Sequence, residues 1–217
     1  MQARLLLRPA LRTIRWVPLA VIAAAGFLIV WSGLRHGGDA RVQHLPLAGA
    51  LLAVWIGFLL DDPAAESVAS VPLPLVSRRG VRILLAVPAI GLAWMLLSLQ
   101  ADIAAKAVTL TTAFAAQVVV ALGFAAVGTR VSGDERGGPV AVAGLFLVFL
   151  VLPLLLKVPM TLDPLTDSWH HLYGRWVWLG GAGLLLFLAA SADPGRRGPV
   201  SWLRGRRARP EMIATEA

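Results

Sequence analysis

The sequence predicts an all-α, multi-pass membrane protein with six transmembrane helices and both termini in the cytoplasm. Three observations lead there. Of the 217 residues, 58% are apolar and only 15% charged, which leaves too few polar side chains to cover a soluble domain of this length. Apolar stretches long enough to cross about 30 Å of hydrocarbon recur along the chain. The Lys and Arg residues gather on alternate connections between those stretches, the bias that cytoplasmic loops show.

The six spans are Val17–Leu34, Leu45–Leu60, Val81–Leu99, Ala107–Gly128, Pro139–Leu156 and Arg175–Ala192. The first follows a basic stretch, the outline of a signal peptide, but Trp31 and Arg35 stand where a cleavage site would be, so a retained helix is expected. The second is short and has to thin the bilayer or extend into its flanks. Pro88 and Pro153 lie within the third and fifth spans and predict kinks. Trp16, Trp31, Trp169, Trp176 and Trp178 fall near span ends, where indole rings favour the headgroup region.

Orientation follows from the twenty basic residues. Arg4, Arg8, Arg12, Arg15, Arg78, Arg79, Arg82, Arg130, Arg136, Arg196, Arg197, Arg204, Arg206, Arg207 and Arg209 fall on one side. Arg35, Arg41, Lys106, Lys157 and Arg175 fall on the other. Fifteen against five places the first side in the cytoplasm. The same bias accounts for the net charge of +8 without nucleic acid. The absence of cysteine excludes disulfides, thiolate metal sites and a cysteine nucleophile.

The chain then divides into a basic lead-in (1–16), a six-helix domain (17–192) and a basic tail (193–217). In the lead-in, Arg4, Arg8, Arg12 and Arg15 project within an arc of about 80° at helical spacing, as on an interfacial helix. Within the spans, Ser98, Thr109, Thr111 and Thr112 offer hydroxyls, but no acid or histidine is expected at bilayer depth. That argues against intramembrane proteolysis and against an ion-coupled carrier. Asp102 and Lys106 form an ordinary i,i+4 pair at the outer surface.

Two connections carry the functional reading. The cytoplasmic one, residues 61–80, opens with "DDPAAESVAS". Asp62 suits an N-cap, Pro63 the first helical position, and Glu66 the first turn near the positive end of the dipole. A helix of about two turns is expected, then "PLPLVSRRGVR" as an extended link back to the bilayer. Such a helix could simply rest on headgroups, although anionic lipid would repel Asp61, Asp62 and Glu66.

Six spans, cytoplasmic termini, a basic lead-in and this short helix together resemble the membrane (permease) subunit of an ABC exporter of the ABC-two type. The wording "LLDDPAAESVASVPLPLVSRRGVR" resembles the small actinobacterial form. The resemblance implies a coupling helix seated in a groove of a separate cytoplasmic ATPase, with Asp62, Pro63, Ala64, Ala65, Glu66, Val68 and Val71 as the contacting residues. It implies ATP and Mg in that partner subunit, no cofactor bound by this chain, no catalytic residue, and a second permease copy or paralogue. It also implies alternating access and a plasma-membrane location. The chain contains no G-x-x-x-x-G-K-[ST] phosphate loop, in keeping with hydrolysis elsewhere.

The outer connection, 157–174, holds Asp163, Asp167, His170 and His171 at i, i+4, i+7 and i+8. Carboxylate and imidazole at that spacing suit zinc or another divalent metal, and would make an outer-face metal-dependent enzyme of the chain. A non-transporting assembly factor is the other alternative. Helix-end chemistry accounts for the same residues: Asp163 and Pro164 open a short helix, the histidines sit in its last turn, and Gly174 ends it.

Because the chain has no cysteine of its own, single cysteines at 134 and 165 report topology cleanly. Position 134 is expected to label from the cytoplasm and position 165 from outside; labelling of 165 from the cytoplasm would reverse the orientation.

Overall fold

The computed structural model describes residues 16–34, 38–61, 75–101, 103, 107–132, 137–151, 155 and 169–192. Every regular element among them is helical. In chain order they are α1 (Trp16–Leu34), α2 (Gly38–Phe58), α3 (Leu75–Ala101), α4 (Ala107–Ser132), α5 (Gly138–Phe146) and α6 (Trp169–Ser191). A π-helical turn, Leu147–Val151, continues α5. Each grows from one of the apolar stretches, with boundaries that differ for identifiable reasons.

Four of these helices contain segments long and apolar enough to cross a membrane: Trp16–Gly33, Arg79–Ala101, Ala107–Val131 and Tyr173–Ser191. The apolar parts of α2 and α5 are shorter, Val42–Phe58 and Gly138–Phe149. α2 gains its length at its N-terminal end. α2 starts at Gly38 and runs for 21 residues, about 31 Å, because "GDARVQ" continues the helix although its composition reads as a loop. α3 starts at Leu75, so residues 75–82 of the expected extended link are helical. No proline follows Pro74 until Pro88, and helix propensity prevails over that interval. α3 continues through Pro88 and α2 through Pro46. α6 starts at Trp169 and runs through Gly174, so that glycine does not end a helix.

Consecutive helices are antiparallel. Trp16 at the start of α1 lies 6.4 Å, ring centroid to centroid, from Trp55 near the end of α2. At the opposite end Gln100 Nε2 donates to the Phe27 carbonyl at 3.3 Å, joining α3 to α1. One end of the bundle thus gathers Trp16, Asp61, Arg79, Thr129, Gly138 and Ser191 (the arginine-rich end).

α4 is the centre. Buried residues make up 61% of its apolar window, against 22% in α1, 22% in α3 and 17% in α6. It meets α6 along a small-residue ridge: a Cβ on Gly183 would stand 2.8 Å from the Val120 backbone, and one on Gly123 2.6 Å from the Gly183 carbonyl oxygen. Backbones approach this closely where side chains are absent, the way helices associate without a hydrophobic driving force. α3 meets α4 through larger groups. Trp94 stacks on Phe114 with centroids 4.3 Å apart, and its Nε1 donates to Thr111 Oγ1 at 3.2 Å.

The outer faces are apolar. Val17 and Leu28 on α1, Leu84 and Leu99 on α3, and Trp178 and Leu185 on α6 are all more than 60% exposed. Contiguous faces of this kind suit lipid rather than water, and with the four span-length helices they mark a membrane protein. Trp16, Trp31 and Trp178 are exposed as expected, but Trp176 is 5% exposed, stacked on Phe149 of the π turn at 5.3 Å.

The glycines of α6 provide a matched test. Gly181→Ala meets nothing within 4 Å and should be neutral or mildly stabilising through helix propensity. Gly183→Ala should destabilise by about 1–3 kcal/mol through overpacking. Thermal unfolding in detergent measures both.

Candidate functional site

The arginine-rich end draws polar groups from five elements. Arg79, on the second turn of α3, donates from Nη1 to Ser191 Oγ of α6 at 3.0 Å and from Nη2 to Thr129 Oγ1 of α4 at 2.6 Å. Thr129 passes the bond on, donating to the Ala126 carbonyl at 2.9 Å. Arg130, in the last turn of α4, donates from Nη1 to the Ala189 carbonyl at 2.6 Å, reaching a group near the end of α6 where carbonyls run short of helical partners. The two guanidinium groups thus stand beside the C-terminal ends of α4 and α6, where a helix carries about half a negative charge.

Asp61 does the converse. It follows the tight turn that ends α2, its own N–H donating to the Phe58 carbonyl at 3.2 Å. Its Oδ1 accepts the backbone N–H of Gly138, the first residue of α5, at 2.8 Å. The N-cap position of α5 is Gly137, which makes no side-chain cap, so the carboxylate comes from another helix. Such a cap is worth about 1 kcal/mol, and its charge suits the N-terminal dipole. Arg82 Nη1 of α3 donates to the Asp61 carbonyl at 3.3 Å.

A second polar locus lies within the bundle. Gln117 stands ten residues into α4, about 15 Å deep, and is 2% exposed. Its Nε2 donates to the Pro46 carbonyl of α2 at 3.1 Å. Its Oε1 has no hydrogen-bond partner, and neither do the buried atoms His44 Nδ1, Ser98 Oγ and Gln100 Oε1. Gly49 makes room for the amide: a Cβ there would stand 2.8 Å from Gln117 Oε1 and 3.1 Å from Trp94. The knot is therefore filled, with no space beside Gly49 for a ligand.

Several expected residues fall elsewhere. Asp62, Pro63, Ala64, Ala65, Glu66, Val68 and Val71, expected to contact an ATPase, lie outside the described residues, as do Asp163, Asp167, Asp102 and Lys106. His170 and His171 occupy the first turn of α6 rather than the last turn of a separate helix, which removes the dipole argument made for them. Among the described residues no group of three or more His, Asp or Glu is placed to hold a metal. His44 lies within α2, which begins before Leu45. Gln117 escaped the sequence reading, although a lone amide inside "AFAAQVVVALGFAA" was a usable signal.

Set against known protein families, characterised proteins and solved structures, the chain matches none.

Gln117→Leu removes one interhelical bond and one unpaired acceptor together. Stability is expected to stay within about 1 kcal/mol of the parent. Equilibrium unfolding in mixed micelles measures this, and a much larger loss would mean that the Pro46 bond is essential to the fold.

Proposed function

We propose that the chain is the membrane-spanning subunit of an ATP-driven exporter of the ABC-two type, working by alternating access with a separate cytoplasmic ATPase. The reading includes six spans, with α2 and α5 crossing along with the four longer helices. Both termini and the arginine-rich end face the cytoplasm of a bacterial plasma membrane. Residues 62–71 engage the ATPase, Mg and ATP belong to that partner, and a second copy or paralogue completes the permease. No residue of this chain is catalytic.

One observation carries the reading. Strict antiparallel alternation brings the start of α1, Asp61, the start of α3, the end of α4 and the end of α6 to one end of the bundle. That is the end toward which fifteen of the twenty basic residues are read, the arrangement expected when this end is cytoplasmic. Residues 62–74 then emerge on the side where ATP is available, directly after a residue bonded to both α3 and α5.

The test is whether an ATPase follows the chain through purification from native membranes. Mg-dependent ATP hydrolysis is expected to copurify with tagged wild-type protein. Ala65→Arg, which places a bulky charge on the docking helix, should lower it by about tenfold or more, and Asp62→Ala should lower it less. Hydrolysis that never copurifies, or that survives Ala65→Arg, would sink the proposal.

A further inference from the structure

Three helices meet at one residue at the arginine-rich end. Asp61 closes α2 through its N–H, holds α3 through its carbonyl and holds α5 through its carboxylate, at 3.2, 3.3 and 2.8 Å. α5 cannot cap itself, since Gly137 has no side chain and Pro139 lacks an N–H. Just inside this bond the helices interlock. A Cβ on Gly57 would overlap Ala141, and one on Gly138 would overlap the ring of Phe58. α5 is also seated on α4 at this end, where a Cβ on Gly128 would stand 2.7 Å from Val140 and one on Gly137 would overlap the Ala125 carbonyl, so α5 can part from α2 only as one body with α4.

We propose that Asp61 is a releasable clasp: breaking its bond to Gly138 parts α5 from α2 and α3 at the arginine-rich end while the opposite end stays together. The chemistry suits reversible use. The bond lies at the end of the bundle, so water satisfies both the carboxylate and the freed N–H when it breaks, and no polar group is stranded in hydrocarbon. The contacts deeper in the bundle differ. The Trp94–Phe114 stack and the Gln117–Pro46 bond are buried, with no such replacement at hand. Separation is thus easier at one end than at the other. The permease reading enters only as the source of the force, since the chain passes from Asp61 directly into residue 62.

Spin labels on the full-length chain in lipid nanodiscs test the clasp, with natively absent cysteine making pair labelling specific. One pair, at Gly80 and Pro139, spans α3 and α5 at the arginine-rich end; a second pair, at Leu99 and Leu147, spans the same helices farther from that end. All four positions are exposed. With Asp61→Ala, the Gly80–Pro139 distance is expected to broaden or lengthen by about 5 Å, one helical turn, with the Leu99–Leu147 distance unchanged. Asp61→Asn keeps an acceptor for Gly138 and should resemble wild type. Asp61→Ser, whose oxygen falls short by about a bond length, replaces the alanine variant where that fails to insert. An unchanged Gly80–Pro139 distance overturns the proposal. So does a shift of both pairs together, or an asparagine variant that opens like alanine. No ATP or ATPase is present, so the clasp and the permease reading fail separately.

Discussion

At the arginine-rich end, Arg79 and Asp61 each stand at the wrong end of their own helix and the right end of a neighbour's. Arg79 lies near the start of α3, where a cation opposes the dipole, yet its hydrogen bonds reach α4 and α6 near their C-terminal ends. Asp61 follows the C-terminal end of α2, where an anion is equally misplaced, yet it caps the start of α5. Each favourable placement is worth about 0.3–1 kcal/mol, and up to about 2 when partly buried. Direct hydrogen bonding to a charged group adds to that. Reversing any one of these helices would set like against like. Alternation of direction is therefore built into the charges.

The packing around α4 obeys a different constraint. Lipid offers apolar side chains as good an environment as a neighbouring helix does, so close contact has to come from shape. Gly183 and Gly123 let α6 settle onto α4 backbone to backbone, and Gly49 lets α2 accept the Gln117 amide. Proline in α2 leaves the Val42 carbonyl without its helical N–H donor, and the Gln117 amide bonds one turn further on, to the Pro46 carbonyl. Where α3 approaches α4, the gap is bridged by long or bulky groups instead: Trp94 in the half away from the arginine-rich end and Arg79 at that end. The glycine ridge is intolerant of displacement in a way that those bridges are not.

Apolar length and basic-residue placement made the helices legible in sequence, and the starts of α1 and α4 fell within a residue of expectation. Their limits were harder where polar residues continue a helix beyond the apolar run. "GDARVQ" before Leu45 read as a connection and is helical, and "WHHLYG" before Arg175 read as the end of a separate short helix and is the start of α6. The polar sites were less legible still. Asp61 looked like one of several acids opening a loop, because its partner Gly138 is 77 residues away and no local pattern announces it. Arg79 read as positive-inside surplus, whereas its hydroxyl acceptors come from α4 and α6. Trp176 matched the interfacial pattern of its neighbours, yet the π turn presents Phe149 to it and buries it. Periodicity reports which face is apolar; it does not report which distant terminus a charge will meet.

These two kinds of adhesion divide the molecule along its length and across it. α4 and α6 are joined by a ridge in which an added methyl group meets backbone, and they form one body. α3 is held to that body by an aromatic stack in its C-terminal half and by a guanidinium on two hydroxyls at its other end. A guanidinium and hydroxyls at the bundle's end exchange readily for water or lipid headgroups; an indole buried against a phenyl ring does not. On the permease reading, motion that opens the cytoplasmic end therefore pivots α3 about Trp94 and leaves α4 with α6 as the fixed frame. The residues that permit this are Arg79 and Asp61, because their bonds lie at the end of the bundle, where solvent can replace them.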